Sequence, residues 1–93
     1  MKESSLLRSV ERELKRRGVT YRKRHGGVFS VKGDPDLYGC AAGRHWEIEL
    51  KRPGEEPTEL QRARLEEWGR AGAKTGVVKS LEELRIFLEQ LYT

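Results

Sequence analysis

The sequence predicts an α/β protein: a mixed central β-sheet flanked by helices, in the order α-β-β-β-α-β-α. Three observations carry this. Apolar residues recur at helical spacing near both ends of the chain and once between, while a central segment alternates apolar and charged residues at a spacing of two. Gly, Pro or capping-box residues separate each segment from the next. Ninety-three residues give a single domain over 1–93, since two independent cores would each fall below the size that folds without disulfides or metals.

Residues 3–17 read as an amphipathic helix, because Leu6, Leu7, Val10 and Leu14 form one stripe and Gly18 stands at the expected C-terminal cap. Between Val19 and Ser30, Val19-Thr20-Tyr21 and Val28-Phe29 suggest two short strands around the basic turn Arg22 to Gly27. Residues 36–39 and 44–51 read as a hairpin through Gly39-Cys40-Ala41-Ala42-Gly43, with Trp46, Ile48 and Leu50 alternating with Glu47, Glu49 and Lys51. After a Pro/Gly/Glu loop, Thr58 and Gln61 have capping-box spacing for a helix ending near Ala71-Gly72. Residues 73–79 then read as a strand. Ser80 and Glu83 open a last helix whose Leu81, Leu84, Phe87, Leu88 and Leu91 share a face.

Hydrophobic residues make up 35% of the chain and mean hydropathy is −0.79, yet their regular spacing separates it from a disordered polar chain. No apolar run exceeds three residues, so neither membrane insertion nor a secretory signal is expected, and a cytoplasmic setting is. Cys40 is the single cysteine, which excludes an internal disulfide framework and a cysteine-built zinc site. Charge is polarised: residues 1–32 carry ten Lys/Arg against three Glu, a net +7, and residues 33–93 carry nine against twelve acids, a net −3. A basic end beside an acidic remainder suits a phosphate-backbone binder with an embedded carboxylate site, and also a merely solvated charge run. Arg8, Arg12, Lys15, Arg16, Arg22, Lys23, Arg24 and Lys32 are the candidate phosphate contacts. Few aromatics accompany them, which favours recognition of duplex backbone over base stacking. Trp46, Trp68 and Phe87 read as core or as a self-association surface.

The chemistry centres on the hairpin. A near-symmetrical pairing sets Asp36 across from Glu49 on one face and Leu37 across from Ile48 on the other. Two carboxylates so close repel unless a proton or metal intervenes, and an all-oxygen pair suits a hard cation such as Mg²⁺ or Mn²⁺. Lys51 points into the same space, where it would orient or deprotonate a water or neutralise charge on a phosphoryl group. The competing reading is a solvent-facing row of alternating charges on an edge strand. Asp34 is assigned to the Gly33-Asp34-Pro35 turn. Glu3 lies at the centre of the first helix's apolar stripe and points inward, or serves as a first-turn acid against the helix dipole. Gln61 faces the core side of its helix, either toward the site or as the cap partner of Thr58. His25 and His45 are kept out of the site as surface or half-buried residues.

Gly33-Asp34-Pro35-Asp36, Gly43-Arg44, Ile48-Glu49-Leu50-Lys51-Arg52-Pro53-Gly54, Gln61 and Ala71-Gly72, in this order, resemble the virus-type replication and repair nuclease domain (VRR-NUC) of the PD-(D/E)XK nuclease superfamily. Glu3-Ser4, Leu6, Val10, Leu14 and Gly18 match its opening helix, and Val77-Val78-Lys79-Ser80 its last strand and turn. The resemblance implies a restriction-endonuclease-like fold. It also implies a divalent metal held by Asp36, Glu49 and the Leu50 carbonyl, with Lys51 serving the attacking water, Glu3 assisting and Gln61 supporting. Members resembling this chain are small standalone domains, some acting as dimers on four-way junctions. The expected activity is therefore Mg²⁺- or Mn²⁺-dependent, structure-specific cleavage of branched DNA, a junction or a flap, by a homodimer. The other expectations left open are a non-catalytic nucleic-acid binder and a restriction-type duplex endonuclease.

Overall fold

The computed structural model describes residues 3–93, with side chains from Ser4 onward. The elements are α1 (Glu3–Arg16), β1 (Thr20–Lys23), β2 (Leu37–Ala41), β3 (Arg44–Leu50), α2 (Glu59–Arg70), β4 (Lys74–Val78) and α3 (Leu81–Leu91). The protein is thus an α/β domain with three helices and a four-stranded mixed sheet in the order β1-β2-β3-β4. β1/β2 and β2/β3 are antiparallel, and α2 provides the crossover that makes β3/β4 parallel.

α1 ends as its sequence dictates. Gly18 takes φ 69°, which a side chain would disfavour, and the Gly18 and Val19 N–H groups donate to the Lys15 and Leu14 carbonyls. Leu6, Val10 and Leu14 are buried against Ile48, Leu50, Leu84 and Leu88 in one apolar cluster. Each such side chain contributes roughly 1.5–3 kcal/mol through its burial. Trp46 packs edge-to-face on Phe87, with ring centroids 6.3 Å apart. A Cβ at Gly39 would come 2.7 Å from the Trp46 ring and 2.1 Å from the Thr20 carbonyl, so only glycine lets β1, β2 and that indole approach.

α1 and α3 lie against the sheet face bearing Trp46, Ile48 and Leu50, whereas α2 faces the opposite side, where Glu47 and Glu49 project. α2 buries none of its residues, as expected for a helix over a polar strand face. Trp68, read from sequence as core or self-association surface, is only half-buried there.

Two expectations are corrected. The β2–β3 turn is only Ala42-Gly43, at φ 53° and 77°; a two-residue turn with both φ positive suits the twist of a hairpin. β2 accordingly runs on to Ala41 instead of stopping at residue 39. Val28-Phe29 forms no strand. The Ser30 N–H donates to the Gly27 carbonyl, and the Ser30 hydroxyl both accepts from the Gly27 N–H and donates to its carbonyl, closing a turn. Val28 and Phe29 instead lie exposed on this turn, so no ladder among the described residues meets their β propensity.

Candidate functional site

The predicted cross-strand register is found: Leu37 pairs with Ile48. Asp36, one residue before β2 and directly after the buried Pro35, accepts a 2.8 Å hydrogen bond from the Leu50 N–H. That bond ties the Asp36 carboxylate to the end of β3 and fixes it beside Glu49. Glu49 is 2% exposed, contrary to the solvent-facing alternative. Its Oε2 lies 3.4 Å from Lys51 Nζ, and its Oε1 is buried without a hydrogen-bond partner among the described residues. The Lys51 backbone N–H donates to the Val78 carbonyl, prolonging the β3–β4 ladder to the base of that side chain.

Burial pushes the Glu49 carboxyl up to about 7, the Asp36 carboxylate adds to the rise, and Lys51 opposes it. A carboxylate in this state binds a proton or a cation readily. The donor chemistry fits a hard divalent ion: two carboxylates within mutual repulsion, one oxygen unsatisfied, and no sulfur or imidazole at the site. Among the described residues no group of three or more His, Cys, Asp or Glu side chains gathers as a metal cluster.

A cavity of about 260 Å³ opens on Asp36 and Leu50, with Ser4, Leu7 and Lys23 on its other walls. The start of α1 therefore faces Asp36 across this cavity. The Glu3 side chain itself lies outside the described residues. Gln61 takes the capping role: its side-chain oxygen accepts from the Thr58 N–H at 2.9 Å, and its own N–H donates to Thr58 Oγ1 at 3.1 Å. That use accounts for its identity without a contact to the carboxylates.

The basic residues separate into two groups. Arg8, Arg12 and Lys15 line a shallow groove along the outer side of α1. Arg22, Lys23 and Lys32 are exposed around β1 and the following loop. Arg16 is exposed but bonded to Glu13. Arg24 departs from the expected phosphate track, because its guanidinium turns inward to clasp Glu47 at 2.5 and 3.0 Å and to donate to the Pro35 carbonyl. It stacks over Tyr38, 4.4 Å from the ring centroid, and lies near Trp68.

Sequence reasoning missed this second cluster. Glu47 is fully buried, and His45 Nε2 lies 2.5 Å from its Oε2. Trp68 Nε1 donates to Asp34, which also lies 3.7 Å from Arg24 Nε. The signal was the His45-x-Glu47 spacing, which puts both side chains on one strand face. Arg24 also holds the chain next to Asp36: its backbone N–H donates to the Asp36 carbonyl at 2.9 Å.

No protein-family model and no curated protein matches this chain. No helix among the described residues is long and apolar enough to cross a membrane.

Proposed function

We propose that the protein is a metal-dependent endodeoxyribonuclease of the VRR-NUC type within the PD-(D/E)XK superfamily, acting on branched duplex DNA. The observation that carries the proposal is the buried Glu49 carboxylate, with one oxygen unpartnered, set beside Asp36 and 3.4 Å from Lys51 Nζ. Neither a solvated surface row nor a closed structural ion pair accounts for that combination.

Asp36, Glu49 and the Leu50 carbonyl would hold Mg²⁺ or Mn²⁺, with Glu3 a further candidate. Such an ion, when bound, supplies Lewis-acid stabilisation of charge on the phosphoryl oxygens. The chain's own residues do the rest. The Leu50 N–H keeps the Asp36 carboxylate oriented, and burial in the sheet holds Glu49 against it. Lys51 orients the attacking water by hydrogen bonding and offsets charge on the phosphate. Hydrolysis adds water across one P–O bond, leaving a phosphate monoester and a hydroxyl end. The exposed Lys23, on the wall of the cavity that Asp36 borders, and Arg8, Arg12 and Lys15 on α1 supply backbone contacts. A homodimer would bring two such centres to a two-fold junction.

The test is incubation with four-way junction, flap and plain duplex DNA, with Mg²⁺ or Mn²⁺, beside Asp36→Ala and Lys51→Ala. Cutting of branched DNA that both substitutions abolish is expected. Cutting that survives either substitution rejects the site, and binding without cutting favours a non-catalytic binder. Preferential cutting of plain duplex favours a restriction-type enzyme.

A further inference from the structure

The most exposed large apolar side chain among the described residues is at the tip of the loop joining β1 to β2. Phe29 is 99% exposed, Val28 92% and Val31 56%. The fold holds Val28 and Phe29 outward on the Gly27–Ser30 turn. The loop is anchored behind that tip. Arg64 Nε donates to the Lys32 carbonyl, and Arg24 is bonded to Pro35 and Glu47. An apolar tip on an anchored loop is a surface kept out of the core at a cost in solvation.

Its neighbours define what it meets. Phe29 borders a recess of about 460 Å³ with Lys23, His25, Val31 and Tyr38. Lys23 also walls the cavity onto which Asp36 and Leu50 open. A second recess runs from His25 and Ser30 to Asp36 itself. The apolar tip, the Tyr38 ring and the basic Lys23 and Arg24, with Asp34 among them, therefore lie near Asp36. Stacked duplex DNA covers its base faces and offers an apolar tip little beyond thymine methyls. At a branch point, bases expose their faces close to phosphates, which suits an apolar tip with Lys23 beside it.

We infer that Val28 and Phe29 form a wedge that packs on an unstacked base at a DNA branch and thereby sets the scissile phosphate at the cavity that Asp36 borders. The wedge rests on the proposed nuclease reading only for what happens to the phosphate; the branch binding is separate and is measured separately. The other occupants open to an apolar tip with basic flanks are an anionic lipid surface and a second copy of the chain.

The experiment measures affinity by fluorescence anisotropy, in EDTA at fixed salt, for a four-way junction and for a linear duplex of the same sequence. Phe29→Ala is expected to lower junction affinity about tenfold, with linear-duplex affinity changed less than about twofold, in line with the worth of one base–aromatic stack. Phe29→Trp should restore the preference. Because Phe29 is almost wholly exposed, its replacement leaves the core intact. Equal losses on both DNAs, no loss on either, or wild-type protein that binds neither would overturn the wedge. So would a Phe29→Ala variant that keeps its junction preference but loses binding to phosphatidylserine vesicles or converts a dimer to a monomer. Adding Mn²⁺ to the same complexes distinguishes the two proposals: Phe29-dependent junction preference without cutting retains the wedge and rejects the nuclease.

Discussion

Glu47 and Glu49 sit two residues apart on the same face of the same strand, both buried, yet they are treated oppositely. Glu47 receives two guanidinium nitrogens from Arg24 and lies against His45, so its burial is matched by partners. Glu49 has a single cation at 3.4 Å, a second carboxylate beside it and one oxygen with no hydrogen-bond partner among the described residues. Strand periodicity gave both the same environment in outline, and the tertiary partners left one fully paired and the other short of partners. A buried charge is stabilising only with its partners in place, and one left short of them is held ready for a ligand.

Substitution of Glu47 should give the largest effect. Glu47→Gln leaves the Arg24 guanidinium partly buried and short of its counter-charge, which costs roughly 2–4 kcal/mol. Urea unfolding should show the midpoint fall with little change in slope, and a midpoint equal to wild type would remove the anchor role.

The matching substitution two residues on should have the opposite sign. Glu49→Gln removes a charge that burial and then the neighbouring Asp36 disfavour, so the metal-free protein at pH 8 should gain roughly 1–3 kcal/mol, and the proposed cleavage should be lost. Because burial raises the Glu49 carboxyl to about 7, metal-free wild type keeps this contribution in full below about 4.5 and loses it as pH rises through about 7. Thermal unfolding across that range, with Glu49→Gln as the flat reference, measures the slope. A wild-type curve as flat as the variant's would contradict the assignment.

Glu13 sharpens the comparison from the other side. Arg16 and Arg17 bond its carboxylate and hold it down to about 2. A depressed carboxyl contributes stability that is present above about 4.5 and lost as pH falls through about 2. Glu13→Gln should therefore flatten the acid limb of the unfolding curve slightly and leave the limb near neutrality unchanged. Both guanidiniums reach solvent, so this is the smallest of the three effects.

The parts legible in the sequence are those governed by local period and turn chemistry. Alternation in β3 and the small-residue turn were enough to put Leu37 opposite Ile48 and so bring Asp36 to Glu49. The Thr58–Gln61 cap was likewise local. Arg24 was not legible, because its inward turn depends on a carboxylate more than twenty positions away in sequence, and in a run of basic residues nothing marks it from its neighbours. Val28-Phe29 misled for a related reason. Strand propensity describes what a segment prefers once a partner strand lies in register, and the Gly27–Ser30 turn takes Val28 and Phe29 out of any ladder.

The most direct measurement is calorimetric titration of Mn²⁺ into wild-type and Glu49→Gln protein at pH 7, in two buffers of different ionisation enthalpy. Binding to wild type should release a fraction of a proton, since Glu49 is partly protonated there, and binding to the variant should be lost. Wild-type protein that takes up no Mn²⁺, or a variant that binds it as well as wild type does, would contradict the claim that Asp36 and Glu49 form a cation site.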